Sequence, residues 1–172
     1  YIGGTDAKAL HHMIEEVIDN ALAYVLIGQC TMIEVSLHQD GMVTVQDNGP
    51  GMLVSHEEKL DMSCLQVALT NRDIGYQYTG AGKYQAAGGL HGVGLAVINA
   101  LCERLVATVK RNGRLYRQSY ERGRPTSSVE TIRDLEEGEG TGTLITLKPD
   151  PEIFTNAAFE LDPIKHRLGE LA

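Results

Sequence analysis

Leu10–Ala21 reads LHHMIEEVIDNA. With its flanks it carries apolar residues at Leu10, Met13, Val17, Ala21 and Val25, steps of three and four that bury one face of a helix. Gly28 can end that helix, so it is predicted over Ala7–Ile27. His12, Glu16 and Asn20 step by four, a drift of about 40° per step on an ideal helix, so they share a second stripe expected to point away from the core. Polar side chains at that spacing can converge on a single ligand.

Downstream the period changes from helical to alternating. Ile33, Val35 and Leu37, then Val43 and Val45, flank a turn at Gln39–Gly41 and predict a hairpin running into DNGPG (Asp47–Gly51). A second helix is predicted over Ser63–Leu69, and Thr70–Gly89 has neither period and a length that fits a lid. GGLHGVG (Gly88–Gly94) leads into a helix over Gly94–Leu101, and Val106–Tyr120 reads as a hairpin turning at Asn112 and Gly113. LEEGEGTG (Leu135–Gly142) is an acidic, glycine-rich loop before a strand at Thr143–Leu147, and a last helix is expected with Asp162 as cap and Pro163 at its first position. Helix, hairpin, helix, hairpin and strand in that order predict an α+β fold rather than a doubly wound sheet.

Composition narrows the function classes. The 172 residues suffice for one domain with a substantial core. A formal net charge of −8 argues against this chain gripping duplex DNA through its phosphates, which needs a basic stripe. No apolar run is long enough for a membrane helix. Cys30, Cys64 and Cys102 lie too far apart for a paired metal motif, so they read as free thiols in a reducing cytoplasm.

Three motifs carry the chemistry. In EVIDN (Glu16–Asn20) a carboxylate suited to activating a water precedes by one turn an amide oxygen suited to Mg²⁺. DNGPG offers an acceptor for a base, and GGLHGVG offers backbone amides ahead of a helix for phosphates, with Gly89, Gly92, Val93 and Gly94 as the cradle. Each has a plainer reading: Glu16 and Asn20 as the solvated face of an amphipathic helix, Asp47 as the acceptor of an Asx turn, Lys83 as a surface lysine. The combination in one order is what an ATP hydrolysis site needs.

With YIGGTD (Tyr1–Asp6), VTVQDNGPGM (Val43–Met52), GGLHGVGLAVINAL (Gly88–Leu101), YRQSYERGRP (Tyr116–Pro125), GTGT (Gly140–Thr143) and IFTNAAFE (Ile153–Glu160), the chain resembles the GHKL ATPase superfamily nearly end to end. The likeness is greatest to its type IIA topoisomerase branch, the ATPase domains of DNA gyrase B and its topoisomerase IV counterpart. It implies a two-layer sandwich, a mixed and mostly antiparallel sheet with helices on one face. It further implies Glu16 as general base with His12 orienting it or sharing its proton, Asn20 on Mg²⁺ with Asp19 beside it, and Asp47 reading adenine. Thr143, Gly51 and Met52 complete the base site, while Lys83 and Gly89, Leu90, His91, Gly92, Val93 and Gly94 hold the phosphates. ATP and Mg²⁺ are the implied cofactors.

The family also sets expectations about context. The chain reads as a single ATP-binding domain, residues 1–172, cut from a longer cytoplasmic protein between an amino-terminal arm and a transducer domain. By itself it is expected to be a monomer that binds ATP with little turnover. The longer protein would form a homodimer with a DNA-cleaving partner subunit and reach DNA through other domains, and Arg117 would stand where aminocoumarin inhibitors are contacted. Two departures stand out: Tyr24 and Pro50 replace an acid and an arginine usually paired over the base pocket. Tyr24 is expected at the rim of the adenine pocket and Pro50 as a stiffener of the loop. The competing function classes are phosphotransfer of the histidine-kinase type and a non-hydrolysing nucleotide clamp.

Overall fold

Asp6 opens α1 (Ala7–Leu26) by accepting a hydrogen bond on Oδ1 from the Ala9 N–H at 3.0 Å. Gly28, at φ +71°, turns the chain away at the other end, as its placement in the sequence predicts. This is the computed structural model of the chain, which describes residues 3–78, 94–155 and 158–170. Most of the expected lid, and the glycine motif up to Val93, lie outside the described residues.

The first hairpin forms as expected, from β1 (Ile33–Leu37) and β2 (Val43–Asp47) in register from Ile33 opposite Asp47 to Leu37 opposite Val43. A two-residue pair follows, β3 (His56–Glu57) and β4 (Met62–Ser63). Ser63 then caps α2 (Cys64–Thr70) by accepting from the Gln66 N–H at 3.1 Å. After a short 3₁₀ turn at Gly75–Tyr78 and the undescribed stretch comes α3 (Gly94–Ala100). The second hairpin joins β5 (Cys102–Arg111) to β6 (Arg114–Glu121) through Asn112 and Gly113, both at positive φ. Positive φ at both central residues is the turn that matches the twist of paired strands.

The remaining strands are β7 (Arg124–Pro125), β8 (Glu130–Asp134) and β9 (Gly142–Pro149). The sheet runs β1-β2-β9-β5-β6-β7, with β8 also on β6. Every pairing among the described residues is antiparallel. β8 is absent from the sequence-based expectation, because all five of its residues are exposed and no alternation marks it as a strand. The last helix, α4 (Leu161–Glu170), starts before the expected cap, so Asp162 lies within the first turn. An acid there still meets the positive end of the helix dipole.

Val43, Val45, Leu105, Ala107, Val109, Ile145 and Leu147 form the inner face of the sheet and pack with Met13, Ile14, Val17 and Ile18 of α1 and with Leu65, Leu69 and Ile98. The layer is fastened by polar contacts at two points. Gln118 donates through Nε2 to Gln66 Oε1 and to the Ser127 carbonyl, both at 3.0 Å, and accepts from the Tyr120 hydroxyl at 2.7 Å. His11 Nε2 accepts from the Glu160 N–H at 2.9 Å, tying the approach to α4 onto α1. No described helix is long and apolar enough to cross a membrane.

Candidate active site

The strand order places β2 beside β9, and this juxtaposition builds the site. Asp47, at the end of β2, is 5% exposed, and its Oδ1 accepts from the Gly49 N–H at 2.8 Å and the Thr143 N–H at 3.3 Å. The Asx turn and the buried acceptor are therefore one arrangement. Burial pushes the Asp47 carboxyl above its ordinary range, and the two amides only partly counter it. Those bonds fall on Oδ1, so among the described residues Oδ2 is the oxygen left for a base. Thr143, 3% exposed, accepts on Oγ1 from the Met52 N–H at 3.0 Å and so joins the two sides of the loop.

The DNGPG loop is held from several directions. Asn48 Oδ1 accepts from the N–H groups of Thr31 and Met32, both at 2.9 Å, and its Nδ2 donates to Thr31 Oγ1 at 2.8 Å. Thr141 donates through Oγ1 to the Gly49 carbonyl at 2.7 Å. Arg111, on β5, donates through Nη1 to the Gly51 carbonyl at 2.6 Å and to the Pro50 carbonyl at 3.2 Å.

No motif in the sequence marks this arginine. Arg117, the arginine singled out in the sequence, is exposed on β6 opposite Thr108 and Glu130, whereas Arg111 reaches the loop. Tyr24 also departs from expectation. It is fully buried with Ala23 and Cys30, and a Cβ added to Gly49 would lie 3.4 Å from its Cγ, so the ring supports the loop from below instead of edging the pocket. Burial, and after it the nearby Asp47 carboxylate, push the Tyr24 phenol well above its usual range, with Arg111 opposing.

Two glycines in this region admit no side chain. A Cβ on Gly51, whose φ is +78°, would lie 2.7 Å from the Lys110 carbonyl oxygen. One on Gly142, at φ +155°, would collide with the Asp47 carbonyl oxygen. Gly142→Ala should therefore lower stability by about 1–3 kcal/mol, the range for overpacking at a close approach. A shift in the urea midpoint at unchanged m-value would show it, and an unshifted midpoint would mean that the loop moves aside at little cost.

On α1, Asn20 is buried at 3% exposure while Glu16 and Asp19 are half-buried. Glu16 and Asn20 are less exposed than the helical period alone implied, and α3 packs against α1 beside Glu16. A Cβ on Gly94 would collide with the Glu16 carboxylate, so glycine at that position lets the carboxylate sit against the start of α3. Gly94 is the described residue of its motif; Lys83, Gly89, Leu90, His91, Gly92 and Val93 lie outside the described residues. His12 Nδ1 is 2.9 Å from Glu15 Oε2, which places the imidazole on the neighbouring carboxylate.

Among the described residues no cluster of three His, Cys, Asp or Glu side chains could cage a metal ion. One buried amide oxygen at Asn20 instead fits Mg²⁺ of the kind held by a few protein oxygens together with phosphates. A buried carboxylate beside a glycine loop, with a helix-borne carboxylate against the glycine that starts α3, is the arrangement the sequence led one to expect of a nucleotide-binding domain of α+β architecture.

Known proteins agree with that class. Residues 5–153 match the family described as histidine kinase-, DNA gyrase B-, and HSP90-like ATPase. The chain is 44% identical over 173 residues to the DNA gyrase B protein of Haloferax volcanii, spanning all of this chain and 27% of that protein. To the DNA gyrase B protein of Thermotoga maritima it is 44% identical over 172 residues, all of this chain and 26% of that protein. The crystal structure of the 43K ATPase domain of Thermus thermophilus gyrase B in complex with an aminocoumarin superposes with a TM-score of 0.85 at 37% identity, covering 100% of this chain and 42% of that one. The chain belongs to the histidine kinase-, DNA gyrase B- and HSP90-like ATPase family, and within it is similar over its whole length to the ATP-binding domains of gyrase B proteins. It spans about a quarter of the length of the curated relatives it matches.

Proposed function

We propose that this chain binds and hydrolyses ATP as the ATPase domain of a cytoplasmic type IIA DNA topoisomerase, in which nucleotide binding closes a clamp for strand passage. The observation that carries the reading is Asp47: a buried carboxylate with Oδ1 engaged by two backbone amides, inside a chain similar throughout to gyrase B ATPase domains. Its remaining oxygen can accept from the exocyclic amine of adenine, whereas guanine has no donor at that ring position. Thr143, Gly51 and Met52 form the wall around the base.

At the other end, Glu16 orients a water for in-line attack on the γ-phosphorus and takes its proton. Asn20 would hold Mg²⁺, with Asp19 beside it, and His12 acts on this stripe through the adjacent Glu15. The ion supplies charge neutralisation at the phosphate oxygens. The glycines from Gly89 to Gly94, with Leu90, His91 and Val93, would cradle the phosphates, and Lys83 would add positive charge there.

In this reading the domain, residues 1–172, works in a longer protein with an amino-terminal arm and a transducer domain. That protein would dimerise, contact DNA through other domains and work with a DNA-cleaving subunit. Aminocoumarin-type inhibitors would compete for the base site, with Arg117, whose strand neighbour is Thr108, beside them. Phosphotransfer and clamp-only readings are disfavoured, since the relatives at 44% identity are gyrase B proteins.

The test is calorimetric titration of the chain with non-hydrolysable ATP and GTP analogues, alongside light scattering and a phosphate-release assay with ATP itself. The expected result is a monomer that binds the adenine analogue in preference and releases phosphate slowly. Equal affinity for both analogues would overturn the base assignment. A stable dimer or brisk turnover would overturn the dependence on further domains.

A further inference from the structure

Glu139, in the acidic loop before β9, is a meeting point for charge that the nucleotide chemistry does not use. Arg133 of β8 pairs with it in bidentate fashion, Nη1 to Oε2 at 2.7 Å and Nη2 to Oε1 at 2.9 Å. Lys110 of β5 adds Nζ to Oε1 at 2.8 Å, and the Glu136 N–H donates to Oε2 at 3.1 Å. Both carboxylate oxygens thus accept two bonds, and the side chain is only 18% exposed. The Arg133 pair first, then Lys110 and the Glu136 amide, hold the Glu139 carboxyl far below the usual carboxylate range. Isolated surface ion pairs contribute little, but bidentate geometry within a network is the exception.

The position of this hub gives it a consequence. The same loop leaves Glu139 for Thr141, which bonds the Gly49 carbonyl, and for Thr143, whose N–H reaches Asp47 Oδ1. Its start is anchored by the Leu135 N–H to the Gly113 carbonyl at 2.8 Å, and the turn is closed by the Glu139 N–H to the Glu136 carbonyl at 3.0 Å. Neighbouring residues of β5 therefore grip both sides: Lys110 holds the acidic loop through Glu139, and Arg111 holds the DNGPG loop through the Pro50 and Gly51 carbonyls.

We propose that Glu139, clamped by Arg133 and Lys110, is a positioning residue that sets how strongly the Asp47–Thr143 wall prefers adenine over 6-oxopurines. This rests on the base assignment above. Releasing the clamp frees the loop that carries Thr141 and Thr143, so Asp47 loses a fixed frame while its own carboxylate stays in place. Small displacements of a positioned group are enough to change binding severalfold.

The experiment measures affinities of the full chain for non-hydrolysable ATP and for inosine triphosphate, with circular dichroism confirming the fold at the working temperature. Glu139→Gln should weaken the adenine nucleotide about 5–10-fold and the inosine nucleotide much less, shrinking the preference by nearly the same factor. Arg133→Met, which leaves Lys110 and the Glu136 amide on Glu139, should shrink the preference less, and it carries the test if Glu139→Gln fails to fold. Adding Arg133→Met to Glu139→Gln should change nothing more. A preference retained in Glu139→Gln, or in Arg133→Met if that variant carries the test, but lost in Asp47→Asn overturns the positioning role alone. One retained in Asp47→Asn as well overturns the base assignment and this inference with it.

Discussion

Replacing Asp47 by asparagine is expected to weaken adenine nucleotide binding by roughly 10- to 100-fold, from about 1.5–3 kcal/mol for a charged hydrogen bond lost in a buried site. The amide can keep Oδ1 toward the Gly49 and Thr143 N–H groups, so the loop retains its shape. Its Nδ2 would then meet the adenine amine donor to donor. Stability should move the other way. Burial raises the Asp47 carboxyl, so the folded state holds its proton to higher pH than the unfolded state does. In the window between the ordinary aspartate value and the raised folded value, stability therefore falls as pH rises, and the penalty persists above it. The substituted amide does not ionise and carries no such penalty. The variant's advantage in urea midpoint should thus be absent at the acidic end of that window and full above it. Undiminished affinity for an ATP analogue would remove Asp47 from the base site, and a pH-independent stability difference would remove the burial argument.

Glu16→Ala should separate binding from chemistry. Loss of a general base lowers turnover by about 10² or more, while affinity for an ATP analogue should stay within about threefold because the base and phosphate contacts lie elsewhere. Turnover is best followed by phosphate release in a form of the protein long enough to dimerise, and affinity in the chain itself. The Gly94 approach sharpens the expectation, since the Glu16 carboxylate occupies the space that a Cβ there would fill. Truncation to alanine opens that space without straining α3. Turnover close to that of the unmodified protein would assign the base to another group, and the neighbouring carboxylate Glu15 with its His12 partner would be the first to test.

The elements nearest the site were legible where their signal is local. Gly28 ends α1, the alternation of β1 and β2 marks their inner face, and Asn112–Gly113 marks the second turn, because helix stops, periods and left-handed turns depend on residues a few positions apart. β8 stayed hidden because a fully exposed edge strand has no hydrophobic period. The helical period of α1 correctly put Glu16 and Asn20 on one stripe, but it could not show that α3 packs beside Glu16. Periodicity separates one face from another and says nothing of a second neighbour.

By itself the sequence determined the order of the motifs, the α+β class and the residue types at each chemical position: a glutamate and asparagine one turn apart, an aspartate at a strand end and glycines where backbones meet. The tertiary structure alone decided which of these meet. Asp47 and Thr143 are 96 residues apart, and Arg111 and Gly51 are 60 apart. The order β2-β9-β5 brings them together, buries Tyr24 beneath the loop and turns Arg111 toward it. That order arises from burying one continuous sheet face under the helices, a property of the whole chain that no local stretch of residues encodes.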